Sequence, residues 1–89
     1  MMEKTITVLN EEGLHARPAG LFVKAATGFK SVIEVHKNGV TKNGKSIMSV
    51  MSLGCEKGDV LILRANGEDE QQALAALTHL FETRFEAHT

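Results

Sequence analysis

His15 is the residue of this sequence whose surroundings best suit chemistry. It lies between Gly13 and Pro18, and Arg17 follows two residues later. Because proline is typical of the first turn of a helix, His15 is predicted at a helix N-terminus, where unpaired N–H groups attract anions. Much of an ordinary imidazole is neutral and nucleophilic at neutral pH. If a phosphoryl group were attached to this ring, the N–H groups and Arg17 could hold its oxygens.

The alternative interpretation of His15 is purely structural. A histidine at this position can cap the helix while a nearby arginine stays in solvent, and no chemistry then follows from the pair. The residues alone give the two interpretations equal weight.

Ser46 is the second candidate residue. It opens a predicted short helix of about two turns over residues 46–54, with Ser46 as the N-cap and Gly54 as the C-cap. Capping fully explains this serine, although a phosphate would also be tolerated at a helix N-terminus. The apolar residues of so short a helix cannot all face the core, so some apolar surface is expected beside Ser46. These residues are Ile47, Met48, Val50 and Met51.

The other histidines and the cysteine indicate no further site. His36 is predicted on a strand facing solvent, His79 off the apolar stripe of the last helix, and His88 in a fraying tail over residues 84–89. The histidines lack metal-ligand spacing, and a lone Cys55 excludes an internal disulfide or a multi-cysteine zinc site. No metal and no cofactor are predicted, and Cys55 is given no role.

Length and composition limit the class of protein. The chain has 89 residues, which predicts one domain over 1–89, and its formal net charge is −1. Balanced charge and the absence of Trp and Tyr disfavour nucleic-acid binding, including a small RNA-binding domain suggested by fold analogy alone. No apolar run reaches the roughly 18 residues of a membrane helix, and no secretory signal is evident. We therefore expect a cytoplasmic protein without membrane insertion.

The patterning of apolar residues predicts the order β-α-β-β-α-β-α. Strands are predicted at 5–8, 32–37, 40–43 and 60–65, with Asn38-Gly39 as a hairpin turn. Helical spacing runs from Ala19 to Ala26 before Gly28, and again from Ala73 to Phe81 after an acidic start at 68–70. This order predicts an α+β fold, with an antiparallel sheet covered on one face by helices.

Residues 13–19, with the sequence GLHARPA, resemble the active-site signature of the HPr family, the phosphocarriers of the bacterial sugar phosphotransferase system. Residues 45–54 resemble the regulatory-serine segment of that family in low-GC Gram-positive lineages. Residues 67–74 are similar to the start of its last helix, so the resemblance covers nearly the whole chain. The family fold is an open-faced β-sandwich with a four-stranded antiparallel sheet under three helices.

The resemblance implies a phosphoryl-transfer intermediate and not an enzyme with turnover on a small substrate. His15 would be phosphorylated on Nδ1 by phosphorylated enzyme I and would pass the group to enzyme IIA domains for sugar uptake, while Arg17 stabilises it. Ser46 would be phosphorylated by the ATP-dependent HPr kinase/phosphorylase, in connection with carbon catabolite repression and a catabolite-control transcriptional repressor.

The resemblance also implies a partner-facing surface, and a carrier that presents one face to several partners is most simply a monomer. We expect this surface to include Lys24, Lys45, Ile47, Met48 and Met51.

An alternative within the same family is a purely regulatory interaction module that acts through phospho-Ser46. A regulatory paralogue of HPr lacks the active-site histidine, so the presence of His15 disfavours this alternative. Gly44 departs from the common pattern, since many relatives carry Ala or a larger apolar residue there, and it is expected to loosen the loop before Ser46.

Overall fold

The seven predicted elements are present in the predicted order in a computed structural model that describes residues 1–86. The strands are β1 (Met2–Thr7), β2 (Val32–Lys37), β3 (Val40–Asn43) and β4 (Val60–Asn66). The helices are α1 (Ala16–Thr27), α2 (Ile47–Ser52) and α3 (Glu70–Glu82).

The start of β1 is where the strand predictions were wrong. The strand begins at Met2, three residues before the predicted start, and it ends before Val8. Its first residues are exposed and show no apolar alternation, so the sequence pattern does not predict a strand there. Backbone pairing with β4 forms this part of the strand, beginning with Met2 opposite Ala65.

The four strands form one antiparallel sheet in the order β1-β4-β2-β3. The central strand β4 alternates, so that Leu61, Leu63 and Ala65 are buried on one face. Its register places Ile6 of β1 opposite Leu61 and Val35 of β2 opposite Leu63. The pairing therefore puts the apolar side chains of three strands on the same face of the sheet.

Helices α1 and α3 cover that apolar face through the stripes that their spacing predicts. Helix α1 buries Phe22 and helix α3 buries Phe81, and the two rings meet edge to face with centroids 6.0 Å apart. The open-faced sandwich predicted from the sequence is confirmed.

The prediction that the segment after α3 frays is wrong for residues 84–86. Phe85 is fully buried, its ring lies against Phe81, and its N–H donates to the carbonyl of Leu80 at 2.8 Å. Both Arg84 and Phe85 have positive φ, which is unfavourable for residues other than glycine, and burial of the aromatic ring offsets that cost. His88 lies outside the described residues.

Gly44 has a different role from the loosening that was expected. Its N–H donates to the carbonyl of Ile33 at 2.7 Å, and a Cβ at this position would lie 2.6 Å from Cγ2 of Ile33. Glycine therefore allows the segment before α2 to pack directly against β2, and a larger residue would have to displace Ile33.

Asp69 joins the start of α3 to the loop before β2. Its carboxylate accepts hydrogen bonds from the N–H of Lys30 at 2.8 Å, the N–H of Ser31 at 2.9 Å and the hydroxyl of Ser31 at 2.5 Å. These bonds, led by that of the Ser31 hydroxyl, lower the pKa of Asp69 to about 2. The folded state thus prefers the ionised carboxylate.

Replacing Asp69 by Asn is expected to lower stability at neutral pH and to flatten its dependence on acid. The pKa of Asp69 is lower in the folded state than its ordinary value of 3.8, so its contribution is present above about pH 4 and is lost as the pH falls toward 2. Urea unfolding of the wild type, Asp69→Asn and Glu68→Gln, measured between pH 7 and pH 2, tests this. Glu68 is the control because its side chain is 77% exposed. Equal pH dependence in the wild type and Asp69→Asn would contradict the prediction.

Candidate functional site

His15 lies at the N-terminus of α1 with an imidazole that is 34% exposed. Its extended backbone places it at the N-cap position, but its side chain makes no capping hydrogen bond. His15 therefore occupies the N-cap position without capping the helix through its side chain. The ring instead points toward the loop after α2, where Nε2 lies 2.8 Å from Oε2 of Glu56.

The loop that carries His15 is fixed to the loop that carries Glu56. The N–H of Leu14, a fully buried residue, donates to the carbonyl of Cys55 at 3.0 Å. Gly13 has a φ of 65°, and a Cβ there would overlap the carbonyl oxygen of Cys55. Only glycine therefore combines this backbone conformation with so close an approach. The two loops are thus joined at two successive positions, by the bond of Leu14 to Cys55 and the contact of His15 with Glu56.

Cys55 contributes to the site through its main chain. Its side chain is fully buried, and desolvation raises the pKa of the thiol above its ordinary value. A buried, protonated thiol is a poor nucleophile. The carbonyl of Cys55, which accepts from Leu14, is the group that helps to position His15.

Glu56 is held in place by a polar turn over residues 56–59. Its N–H donates to Oδ2 of Asp59 at 2.8 Å, and the same oxygen lies 2.8 Å from Nζ of Lys37. The Lys37 ammonium also donates to the carbonyl of Gly54 at 3.0 Å. The hydrogen bond between Lys37 and Asp59 is the largest cause of a lowered pKa of Asp59 and a raised pKa of Lys37.

Sequence reasoning missed Glu56. It is 41 residues from His15, and its immediate neighbours form an ordinary polar turn. No periodicity or motif connects the two positions, so the contact becomes visible only when the sheet has brought the two loops together.

Arg17, predicted beside His15, is directed toward the C-terminal segment. Its Nη2 donates to the carbonyl of Phe85 at 2.7 Å. The structure therefore places the guanidinium near the start of α1 without pairing it with the imidazole. A guanidinium has five N–H donors, so this bond leaves others for a further acceptor. Ala16, between the two residues, has a φ of 46°, an uncommon conformation for a residue other than glycine.

Ser46 is the N-cap of α2, as predicted. Its hydroxyl oxygen accepts from the N–H of Ser49 at 3.3 Å. The other end of the helix differs by one residue, because Leu53 is the C-cap and Gly54 follows with a φ of 63°.

The expected apolar surface beside Ser46 is confirmed. Val50 faces the core, whereas three neighbours are exposed: Ile47 by 43%, Met48 by 77% and Met51 by 37%.

Helix α2 packs beside α1, and Ile47 lies close to the face of α1 that carries Lys24. A Cβ at Gly20 of α1 would lie 3.9 Å from Cδ1 of Ile47. Helical spacing puts Arg17, Gly20 and Lys24 on one face of α1, and Lys24 is exposed. Lys45 differs, because its Nζ donates to the carbonyl of Phe29 at 2.7 Å.

The described residues give no sign of a metal centre or a membrane span. Within residues 1–86, no three His, Cys, Asp or Glu side chains converge in a way that could hold a metal ion. In the same part of the chain, no helix combines the length and apolar character needed to cross a bilayer.

Comparison with known proteins identifies the class to which this fold and histidine belong. The family model PTS-HPr, described as "PTS HPr component phosphorylation site", matches residues 2–83. The phosphocarrier protein HPr of Treponema pallidum is 45% identical over 86 residues, covering 97% of this chain and 98% of that protein.

Solved structures agree with the family match. The crystal structure of HPr-C-His from Thermoanaerobacter tengcongensis is 48% identical and covers 100% of both chains with a TM-score of 0.95. The Bacillus subtilis catabolite repression protein Crh is 42% identical, covers 94% of this chain and 97% of that chain, and has a TM-score of 0.75.

The chain is thus a phosphocarrier with the open-faced sandwich fold. It belongs to the HPr family of the phosphotransferase system, whose members carry a phosphoryl group and are not enzymes in themselves.

Gly13→Ala is expected to destabilise the protein more than Gly39→Ala. Both glycines have positive φ, so alanine costs about 1–2 kcal/mol at either position. The Cβ at residue 39 meets open space, whereas at residue 13 it overlaps Cys55, which adds steric strain. Urea unfolding measures the difference, and equal losses for the two variants would contradict the close approach of the two loops.

Proposed function

We propose that this chain accepts a phosphoryl group on Nδ1 of His15 from phosphorylated enzyme I and passes it to enzyme IIA domains for sugar uptake. The contact with Glu56 is the observation that supports this. An ionised carboxylate only accepts hydrogen bonds, so the contact favours the tautomer with a proton on Nε2 of His15. In the neutral ring the lone pair is then on Nδ1, which is the nucleophilic nitrogen.

The start of α1 supplies the environment that a phosphoryl group on this ring needs. The first turn of a helix has unpaired N–H groups and a partial positive charge, both of which stabilise phosphate oxygens. In this proposal Arg17 stabilises the group through guanidinium donors beyond the one that binds the carbonyl of Phe85. The partners supply and remove the phosphoryl group, so the carrier requires neither metal nor cofactor.

His15→Ala is expected to abolish phosphorylation by phosphoenolpyruvate and enzyme I. The wild type should take an acid-labile label, because the phosphoramidate bond of phosphohistidine hydrolyses in acid. His79→Ala, which removes a histidine that is 71% exposed on α3, should be labelled like the wild type. Label of equal amount and acid lability on His15→Ala would refute the assignment.

Ser46 carries the regulatory part of the proposal. It would be phosphorylated with ATP by HPr kinase/phosphorylase, in connection with carbon catabolite repression and a catabolite-control repressor. The support is its place on the surface, since it opens α2 beside the exposed Ile47, Met48 and Met51. A phosphate adds about −1.5 to −2 charges there without requiring the helix to unfold. The proposed carrier is one domain over 1–89 that acts as a cytoplasmic monomer.

Ser46→Asp is expected to slow phosphoryl transfer from enzyme I by weakening the encounter of the two proteins. An acidic partner surface, attracted by Arg17, Lys24 and Lys45, would meet a like charge beside the apolar contact. Ser46→Asn is the matched control, because Asn caps a helix as well as Asp but has no charge. The difference between the two variants should shrink at high salt, since exposed charges are screened within about 8–10 Å at physiological ionic strength. Equal rates for both variants at low salt would contradict the charge mechanism, and thermal melts would establish that both are folded.

The second candidate is a purely regulatory module that acts through phospho-Ser46. The similarity to Crh, a protein named for catabolite repression, is the observation that favours it. Under this alternative only an acid-stable phosphoester on Ser46 would form, and incubation with enzyme I would leave the chain unlabelled. Acid treatment of the labelled protein therefore separates the two functions.

A further inference from the structure

We propose that Glu56 is a positioning residue for phosphoryl transfer at His15. Its carboxylate holds the proton on Nε2, which leaves Nδ1 as the nucleophile, and it balances the positive charge that the ring acquires when Nδ1 is phosphorylated. This role rests on the proposed function of His15 as the phosphoryl acceptor.

The geometry of the contact favours one tautomer of the ring. Nε2 of His15 and Oε2 of Glu56 are 2.8 Å apart, the distance of a charge-assisted hydrogen bond. An ionised carboxylate has no proton to donate, so the Nδ1–H tautomer would set two lone pairs against each other. The contact therefore favours the tautomer that is ready to attack through Nδ1.

The protein holds Glu56 in reach of His15 through the main chain. The hydrogen bond from Leu14 to Cys55 joins the two residues that directly precede His15 and Glu56. On the other side, Asp59 accepts from the N–H of Glu56 and is itself paired with Lys37. The side chain of Glu56 is 66% exposed, so this bracing, and not burial, restricts where its carboxylate can go.

The carboxylate acts on the charge that develops during transfer. The Nδ1 lone pair forms the bond to phosphorus while the bond between phosphorus and the donor breaks, and the donor keeps that electron pair. The ring of His15 then has a phosphoryl group on Nδ1, a proton on Nε2 and a formal positive charge. The attraction to Glu56 grows as this charge appears. When the group moves on, Nδ1 recovers its electron pair and the ring is again neutral with its Nε2 proton in place.

Two variants separate the contributions of Glu56. Glu56→Ala removes both the hydrogen bond and the charge, whereas Glu56→Gln keeps the size of the side chain but loses the charge and can also donate. Glu12→Gln is the matched control, since it removes the same charge from an exposed residue three positions before His15.

The readouts are the tautomer ratio and the transfer rate. Nitrogen NMR of the His15 ring, recorded in alkaline solution where the ring is neutral, gives the ratio of Nε2–H to Nδ1–H. Rapid-quench measurements with phosphorylated enzyme I give the rate of phosphoryl transfer to His15. For an exposed ion pair we expect Glu56→Ala to lower both by roughly two- to fivefold. Glu56→Gln should slow transfer by a similar factor at low salt and less at high salt, while Glu12→Gln resembles the wild type.

The possible failures are distinguishable. If His15 is phosphorylated normally, and both Glu56 variants match Glu12→Gln in tautomer ratio and rate, the role of Glu56 is overturned and the proposed function stands. If the wild type takes no label on His15, the proposed function fails and the role of Glu56 fails with it. If Glu56→Ala does not fold, the nearly isosteric Glu56→Gln still gives the decisive transfer rate at low and high salt.

Discussion

A main-chain hydrogen bond from the N–H of Leu14 to the carbonyl of Cys55 holds the two halves of the site together. It is possible only because Gly13 has no Cβ to collide with Cys55. Both Leu14 and Cys55 are fully buried, so the bond lies where water does not compete for its partners and where breaking it would leave polar groups unsatisfied. The position of His15 therefore depends on the packing of the core as much as on α1.

The ion pairs of the protein contribute unequally to the order of the site. Lys37 and Asp59 have side chains that are 15% and 33% exposed, and their contact fixes the turn that carries Glu56. By contrast, the pairs of Lys30 with Glu68 and of Lys57 with Glu11 are mostly solvated, and pairs of that kind are worth about 0–1 kcal/mol. The partly buried pair of Lys37 and Asp59 is thus the ion pair that does most to fix the backbone of the site.

The sequence predicts those parts of the molecule that local rules determine. The hairpin at Asn38-Gly39, the cap at Ser46 and the apolar stripes through Phe22 and Phe81 all follow from turn chemistry, capping or periodicity, and the structure confirms them. The predictions are wrong where contacts between residues far apart in the sequence determine the local structure. The carbonyl of Phe85 accepts a hydrogen bond from Arg17, 68 residues earlier in the chain, and Gly44 of the segment before α2 packs against Ile33 of β2.

The site shows the same division. His15 and its helix N-terminus are visible in seven contiguous residues, and the family resemblance rests on them. Glu56 and the carbonyl that binds Arg17 come from distant segments, and no local pattern indicates either of them. Residue type identifies what can react, whereas the orientation of the reactive group depends on tertiary structure.

The sheet order β1-β4-β2-β3 has a consequence for the synthesis of the protein. Strand β4, which lies between β1 and β2 in the sheet, is the last strand in the chain. The strands β1 and β2 therefore cannot be joined until residues 60–66 have left the ribosome. The loops of His15 and Glu56, 41 residues apart, meet only after this closure. Pairings between distant segments form slowly compared with helices and hairpins. A nascent or truncated chain that lacks β4 therefore contains both His15 and Glu56 but not the strand pairing that brings their loops together.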